Sequence, residues 1–323
     1  MGEFQLIARL QNRFAEHAHS MSYAPVLGIG DDAAVLAVPE GKQLVVTTDT
    51  LVSGVHFFAA DPASDIAAKA LAVNLSDLAA MGAEPAWFFL AISLPEIDPE
   101  WCDEFASGLL AMATQGRIQL AGGDTTEGPL SITITAMGLV EQGEALRRDG
   151  AKPGELIVVS GQPGLAALAL RQEIAGESVL PEARQALKHP QPRLALGLAL
   201  VGKASACIDI SDGLAADLGH ILKASACGAE IMLEQLPEAK AFSGFDAETR
   251  WALQLGGGDD YELCFTLPQQ YRKELSAIER SAGVALQVIG VTTTVSGLKL
   301  WQADGQEYVL QRSGYEHFAG EPA

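Results

Sequence analysis

Aspartates recur in this chain at the ends of apolar runs, with no lysine or arginine beside them. The stretch "CIDISDGLAADLGH" (207–220) supplies Asp209 and Asp212, and "GIGDDAAVL" supplies Asp31 and Asp32. Asp49 comes from "VVTTDTL", Asp77 from "AVNLSDLAAMGA", Asp124 from "LAGGDTTEG", and Asp259 and Asp260 from "LGGGDDYEL". Burying even part of a carboxylate costs several kcal/mol unless a cation compensates it. One such residue is a local matter; this many imply a shared cation supply. Hard oxygen ligands without His or Cys select Mg²⁺ or a similar ion, which keeps waters and also takes phosphate oxygens. An acidic protein repels phosphate unless metal ions stand between them, so the pattern reads as a metal-bridged polyphosphate site.

Some of these residues have a plainer role open to them. Asp212 is placed to cap a helix built on Leu214, Leu218, Ile221 and Leu222, with Gly228 ending it. Asp124 and Asp260 suit Gly-Asp turns. Asp77 resists such a reading. It lies mid-helix, where Asp is a poor former, and Val73, Asn74, Ala80 and Met81 around it offer no cation. Arg147 and Arg148 read as solvated surface, unless a phosphate site lies beside them, where one guanidinium would clamp the transferring oxygens bidentately. His56 in "SGVHFF" reads alone as a structural histidine. The stretch "GIGDDA" matches G-x-G-x-x-A with Asp49 at a ribose-like distance, but that fingerprint needs a helix to open there. Pro39 and Gly41 cut the segment short, and "AAVLAV" reads as a strand. No P-loop motif, H-R-D or D-F-G occurs.

Positioning these groups falls to short β-rich runs ("AAVLAV", "QLVVTT", "WFFLAISL", "LSITITAMGLV") alternating with helical stretches at 64–82 and 99–115. Phe4, Ile7, Leu10 and Phe14 make an amphipathic N-terminal helix and not a signal segment. The turn-rich "EALRRDGAKPGELIVVSG" places a domain boundary near 145–152, giving domains 1–148 and 149–323. Beyond it come a strand at 155–160, helices near 164–174 and 193–203, a strand at 262–267, a helix near 270–282 and short closing strands. The class is α/β or α+β in two lobes. Against 41 Asp plus Glu stand 21 Lys plus Arg, a formal charge of −20 with no basic run, which excludes nucleic acid and anionic membrane surfaces as partners. The four cysteines show no C-x-x-C pair, and no apolar run approaches the roughly 18 residues of a membrane span. A cytoplasmic protein is expected.

The stretches "GEFQLIARL", "LGIGDDAAVL", "TTDTLVSGVHF", "ALAVNLSDLAAMGAEPAW", "GGDTT", "RRDGAKPGE", "IDISDGLAADLGHI", "GGDDYELCF" and "GYEHF" together resemble the thiamine-monophosphate kinase family, from residue 2 to about 318. The resemblance implies the two-domain aminoimidazole ribonucleotide synthetase-like fold. Residues 1–148 would form an N-terminal mixed sheet with helices for ATP and Mg²⁺ binding and dimerisation. Residues 149–323 would form a C-terminal α/β sandwich completing the active site. It implies a homodimer with ATP near the interface, several Mg²⁺ ions, and phosphoryl transfer from ATP to thiamine monophosphate, giving thiamine diphosphate and ADP.

Carried over residue by residue, Asp32 is similar to a ligand of bridging Mg²⁺, and Thr47, Thr48 and Asp49 to metal ligands on the adjoining strand. Asp77 resembles the helix aspartate shared by several ions. Gly123 and Asp124 resemble the nucleotide-and-metal pair, and Arg148 the phosphate-contacting arginine. Asp209 and Asp212 resemble metal ligands of the second domain, with Ser211 reaching the nucleotide. His56, Asp259 and Tyr315 correspond to substrate contacts. Asp259 replaces a glutamate common in the family and is one methylene shorter, which leaves open contact with substrate directly or through water. The implied nucleophile is a phosphate oxygen, anionic near neutral pH because its second pKa is about 6. No general base is then required, in keeping with the lack of a Ser–His or His–Asp constellation. The competing readings are another ATP-using member of the superfamily, a two-metal phosphatase, and a nucleotide-binding regulator without turnover.

Overall fold

The computed structural model describes residues 3–18, 22–311 and 314–315. The chain divides into two units, one formed by residues up to 78 with 83–145, the other by 79–82 with the chain from 146 onward. Among the described residues no helix is long and apolar enough to cross a membrane.

The first unit begins with helix α1 (Glu3–Ala18), and its sheet comprises β1 (Lys42–Val52), β2 (Glu84–Leu94), β3 (Gln119–Glu127) and β4 (Ser131–Glu141). The strand order is β1-β4-β2-β3, with β2–β3 parallel and the other pairs antiparallel, so the sheet is mixed. Helix α2 (Ala63–Ala80) is largely apolar all round because it is buried on all sides: every residue from 66 to 80 is buried except Asp77. Helix α3 (Pro99–Gly116) starts on the Asp98 side chain, which accepts the Glu100 N–H at 2.9 Å, with Pro99 at the first position. The stretch "AAVLAV" is not a strand. Only Val35 bridges, to Leu27, while Ala34 and Leu36 pack against the cluster of Ala86, Trp87, Ala121 and Leu139 and Val35 stays half exposed. The alternation was real, but it reports a segment lying across a sheet face and not one paired within it.

The second unit is built on six strands, β5 (Leu156–Ser160), β6 (Ala206–Asp209), β7 (Gly228–Met232), β8 (Leu263–Leu267), β9 (Leu286–Thr293) and β10 (Gly297–Trp301), in the order β10-β7-β9-β5-β8-β6. Its helices are α4 (Leu165–Ala175), α5 (Pro181–Lys188), α6 (Leu194–Leu200), α7 (Leu214–Ala224), α8 (Ala247–Gly256) and α9 (Leu275–Ala282). Ile157 and Val159 join one core with Leu214, Leu218 and Trp251; Leu156 and Val158 join another with Leu196, Leu200 and Ile278. Both sheet faces are therefore covered by helices, which is the expected α/β sandwich. Helices α5 and α8 escaped the sequence reading, being short and, for α5, mostly polar. Gly228 does not end α7. That helix stops at Ala224, and Gly228 opens β7, where a Cβ would lie 1.8 Å from the Val295 carbonyl oxygen.

Candidate functional site

In the first unit β1 runs past the half-buried Asp77 side chain. Strand alternation puts Thr47 and Asp49 on one face of β1, and the Thr47 hydroxyl donates to Asp77 Oδ2. The Asp49 carboxyl is pushed up to about 6, by burial first and then by the charge and hydrogen bond of Asp77. Two carboxylates thus share one place. Asp49 lies within β1 and Asp124 within β3, so neither ends a strand, and Asp124 is not in a turn.

Thr48 is separated from this pair. Its side chain is on the other sheet face, where its hydroxyl and that of Thr135 lie 2.9 Å apart in a hydrogen bond. The register Thr50↔Thr133↔Ala91↔Asp124 puts Asp124 on that same opposite face. Gly123 is where β3 comes closest to β2: a Cβ there would stand 1.9 Å from the Leu90 carbonyl oxygen. Asp32 is exposed in the segment before β1, its N–H on Asp31 Oδ1 at 2.8 Å. His56 sits in the turn after β1, where its Nδ1 accepts the Val52 N–H at 3.0 Å and its carbonyl accepts from Lys69 Nζ at 3.2 Å.

In the second unit three stretches distant in sequence converge. Asp209 ends β6 and is buried beside β8, paired with Leu263. The loop that follows, Ser211–Gly213, is gripped by the 256–261 segment: Asp259 N–H donates to the Ser211 carbonyl at 2.9 Å, and Tyr261 N–H to the Ile210 carbonyl at 2.8 Å. Tyr315 N–H donates to the Asp212 carbonyl at 2.9 Å. Ser211, Asp212, Asp259 and Tyr315 are therefore neighbours. Asp259 has φ 67°, in the left-handed region that Asp adopts more readily than most side chains, and the Tyr261 hydroxyl donates to its Oδ1 at 3.0 Å. Arg148 is exposed; Arg147 beside it is bound to Asp149, whereas Arg148 makes no ion pair among the described residues.

Two capping roles differ from expectation. Asp212 does not cap α7; the carboxylate of Asp217, inside the first turn, accepts the N–H groups of Ser211, Asp212 and Gly213. Burial pushes the Asp217 carboxyl up to about 6 against the pull of those donors. Asp260 is not a free turn residue: it is buried, accepts the Gly164 N–H at 2.7 Å at the head of α4, and its carboxyl is raised by burial. The only sequence signal for Asp217 was an acidic residue in a first helical turn.

Among the described residues no three His, Cys, Asp or Glu side chains gather into a cage for a metal. Mg²⁺ does not need one, since it is held through one or two carboxylates with waters and substrate phosphates filling the rest. The Asp49–Asp77 pair, oxygen-only and mutually repelling, fits that demand.

The family model "AIR synthase related protein, N-terminal domain" matches residues 30–140, and its C-terminal counterpart matches 152–301. The chain is 46% identical over 327 residues to the thiamine-monophosphate kinase of Escherichia coli K12, covering 98% of each chain. The crystal structure of thiamine-monophosphate kinase from Stenotrophomonas maltophilia K279a superposes with a TM-score of 0.86 at 45% identity, covering 95% of this chain and 98% of that one. AaThiL complexed with AMPPCP and TMP superposes at 0.76 with 27% identity, over 98% and 97% of the two chains. Nearly half its positions shared from end to end, and the fold with them, mean that the chain belongs to the thiamine-monophosphate kinase family.

Proposed function

We propose that this chain transfers the γ-phosphoryl group of ATP to thiamine monophosphate, in line and with Mg²⁺, giving thiamine diphosphate and ADP. The near full-length identity with the Escherichia coli kinase carries this reading. The acceptor phosphate is its own nucleophile, already anionic near neutral pH, so the chain's residues have to orient two polyanions and offset their repulsion. Two like charges about 4 Å apart repel by roughly 4 kcal/mol at an intermediate dielectric. Bound Mg²⁺ supplies the neutralisation of the phosphates and of charge on the transferring group. Asp49, Asp77 and Thr47 hold metal in the first unit, with Asp32, Asp124 and the backbone of Thr48. Asp209 and Asp212 do so in the second. Arg148 and Ser211 contact ATP alongside Gly123, and His56, Asp259 and Tyr315 contact thiamine monophosphate. An acidic surrounding suits the thiazolium cation of that substrate.

The working form is a cytoplasmic homodimer joined through the first unit. Leu44, Val46 and Val52 on the edge strand β1 are exposed, as are Val26, Val35 and Val38. The test is ADP and thiamine diphosphate formation by purified protein with ATP, Mg²⁺ and thiamine monophosphate. Diphosphate appearing in step with ADP is expected; thiamine formed by hydrolysis without ATP would mean a phosphatase instead.

A further inference from the structure

Asp217 is 3% exposed, and one of its oxygens collects three consecutive backbone donors. Oδ2 accepts the N–H of Ser211 at 3.0 Å, of Asp212 at 3.1 Å and of Gly213 at 3.2 Å. Successive N–H groups turned on one point at the head of a helix are the backbone arrangement that elsewhere receives a phosphate. Here the chain fills it with its own carboxylate. The loop's carbonyl side is engaged as well, by Asp259 N–H on Ser211 and Tyr315 N–H on Asp212, both at 2.9 Å. Gly213 has φ 129°, and a Cβ on it would meet the Gly256 carbonyl carbon at 3.0 Å, so the loop has one conformation that fits its surroundings.

We infer that Asp217 is a positioning residue for MgATP, acting through this loop; the inference rests on the ATP and metal roles given above to Ser211 and Asp212. By occupying the backbone donors it keeps the α7 terminus from taking nucleotide phosphate itself. It also fixes the Cα atoms from which the Ser211 hydroxyl and Asp212 carboxylate extend. Charge-assisted bonds to a buried acceptor are the strong kind, so the loop loses its register when the acceptor goes.

The experiment compares the full-length wild type with Asp217→Asn and Asp217→Ala. It measures binding of a non-hydrolysable ATP analogue with Mg²⁺ by calorimetry, thermal unfolding, and KM for each substrate. For Asp217→Ala, analogue binding and KM for ATP should both weaken about tenfold, while KM for thiamine monophosphate, whose contacts Asp259 and Tyr315 touch the loop only through its carbonyl side, rises less. Asp217→Asn keeps an acceptor oxygen without the charge and should fall between. A lower Tm with analogue affinity unchanged, or equal loss for both substrates, would assign Asp217 to stability alone and overturn the inference. Should the alanine variant not fold, unchanged analogue affinity in Asp217→Asn overturns it equally. A wild type that binds the analogue but makes no thiamine diphosphate removes the kinase reading, and calorimetry still decides the part played by Asp217. A wild type that does not bind the analogue removes both.

Discussion

The Thr47 hydroxyl on β1 donates to Asp77 Oδ2 on α2, thirty residues along the chain. The contact ties the strand to the one residue between 66 and 80 of that helix that is not buried. It orients Asp77, and a second carboxylate, Asp49, interacts with it by charge and hydrogen bond. A helix that spends its one opening on an aspartate beside another aspartate suits the bound Mg²⁺ proposed above.

Asp77→Asn should therefore separate function from stability. Turnover is expected to fall at least about a hundredfold, because a metal ligand becomes a neutral amide. The fold should persist, since volume is kept and the amide oxygen still accepts from Thr47. In metal-free buffer near neutral pH the variant should melt about 2–4 °C higher, the gain of about 1 kcal/mol from losing a like-charge neighbour. Activity near wild type with an unchanged Mg²⁺ requirement would take Asp77 out of the site.

The pH dependence of stability follows from Asp49, whose carboxyl rises from 3.8 to about 6 on folding. A raised folded pKa means that the folded state holds a proton more tightly than the unfolded chain. That contribution is complete below the unfolded value and is lost as pH climbs through about 6; it amounts to no more than about 3 kcal/mol. Asp217, raised to about 6 by burial, acts in the same direction. Metal-free protein should thus lose stability from about pH 4 to about pH 7, with added Mg²⁺ restoring more at the upper end. Subtracting the Tm of Asp49→Asn from that of the wild type at each pH isolates the Asp49 part. A difference that does not decline with rising pH would contradict it.

Much of this could be read from the sequence, and what could not has a common cause. Asp77 was legible because an aspartate in the middle of a largely apolar helix breaks a local rule, and local rules are what a sequence displays. The strands holding Asp49 and Asp209 were legible as apolar runs. "AAVLAV" misled because period two reports which face a side chain takes, not which backbone its neighbours pair with. Asp212 and Asp217 were equally plausible caps by type; which one turns back on the loop depends on Gly213 at φ 129°, a conformation invisible in the letters. Thr47 and Thr48 were grouped by the family resemblance, and the structure adds that the strand sends their side chains to opposite faces.

Asp259 offers a test of residue choice. Its φ of 67° favours Asp or Asn over a longer side chain, and Tyr261 holds its carboxylate. Asp259→Asn should fold normally and raise KM for thiamine monophosphate about tenfold with kcat changed less than about threefold, the signature of lost binding. Asp259→Glu should lower Tm by about 2–4 °C through the cost of a left-handed glutamate. An unchanged KM in the Asn variant would show that Asp259 does not meet the substrate.

The edge strand β1 carries the case for a dimer. It is eleven residues long and bordered only by β4 in its sheet, with Leu44 and Val46 exposed at 41% and 52%. Long apolar edges without a proline or a central lysine pair with other chains unless something covers them. In this strand the sole lysine is Lys42 at its start, bound to Glu141 at 3.1 Å. In the dimer proposed above, a second copy of the chain would cover that edge. Val46→Asp adds a charge to that face without touching Thr47, Asp49 or their helix partner, so the monomer should keep its fold. Sedimentation velocity should show a wild-type dimer dissociating in the variant, and turnover should fall with the dimer fraction. A wild type that sediments as a monomer at all concentrations, or a variant that stays dimeric, would place the interface elsewhere and leave β1 covered by some other means.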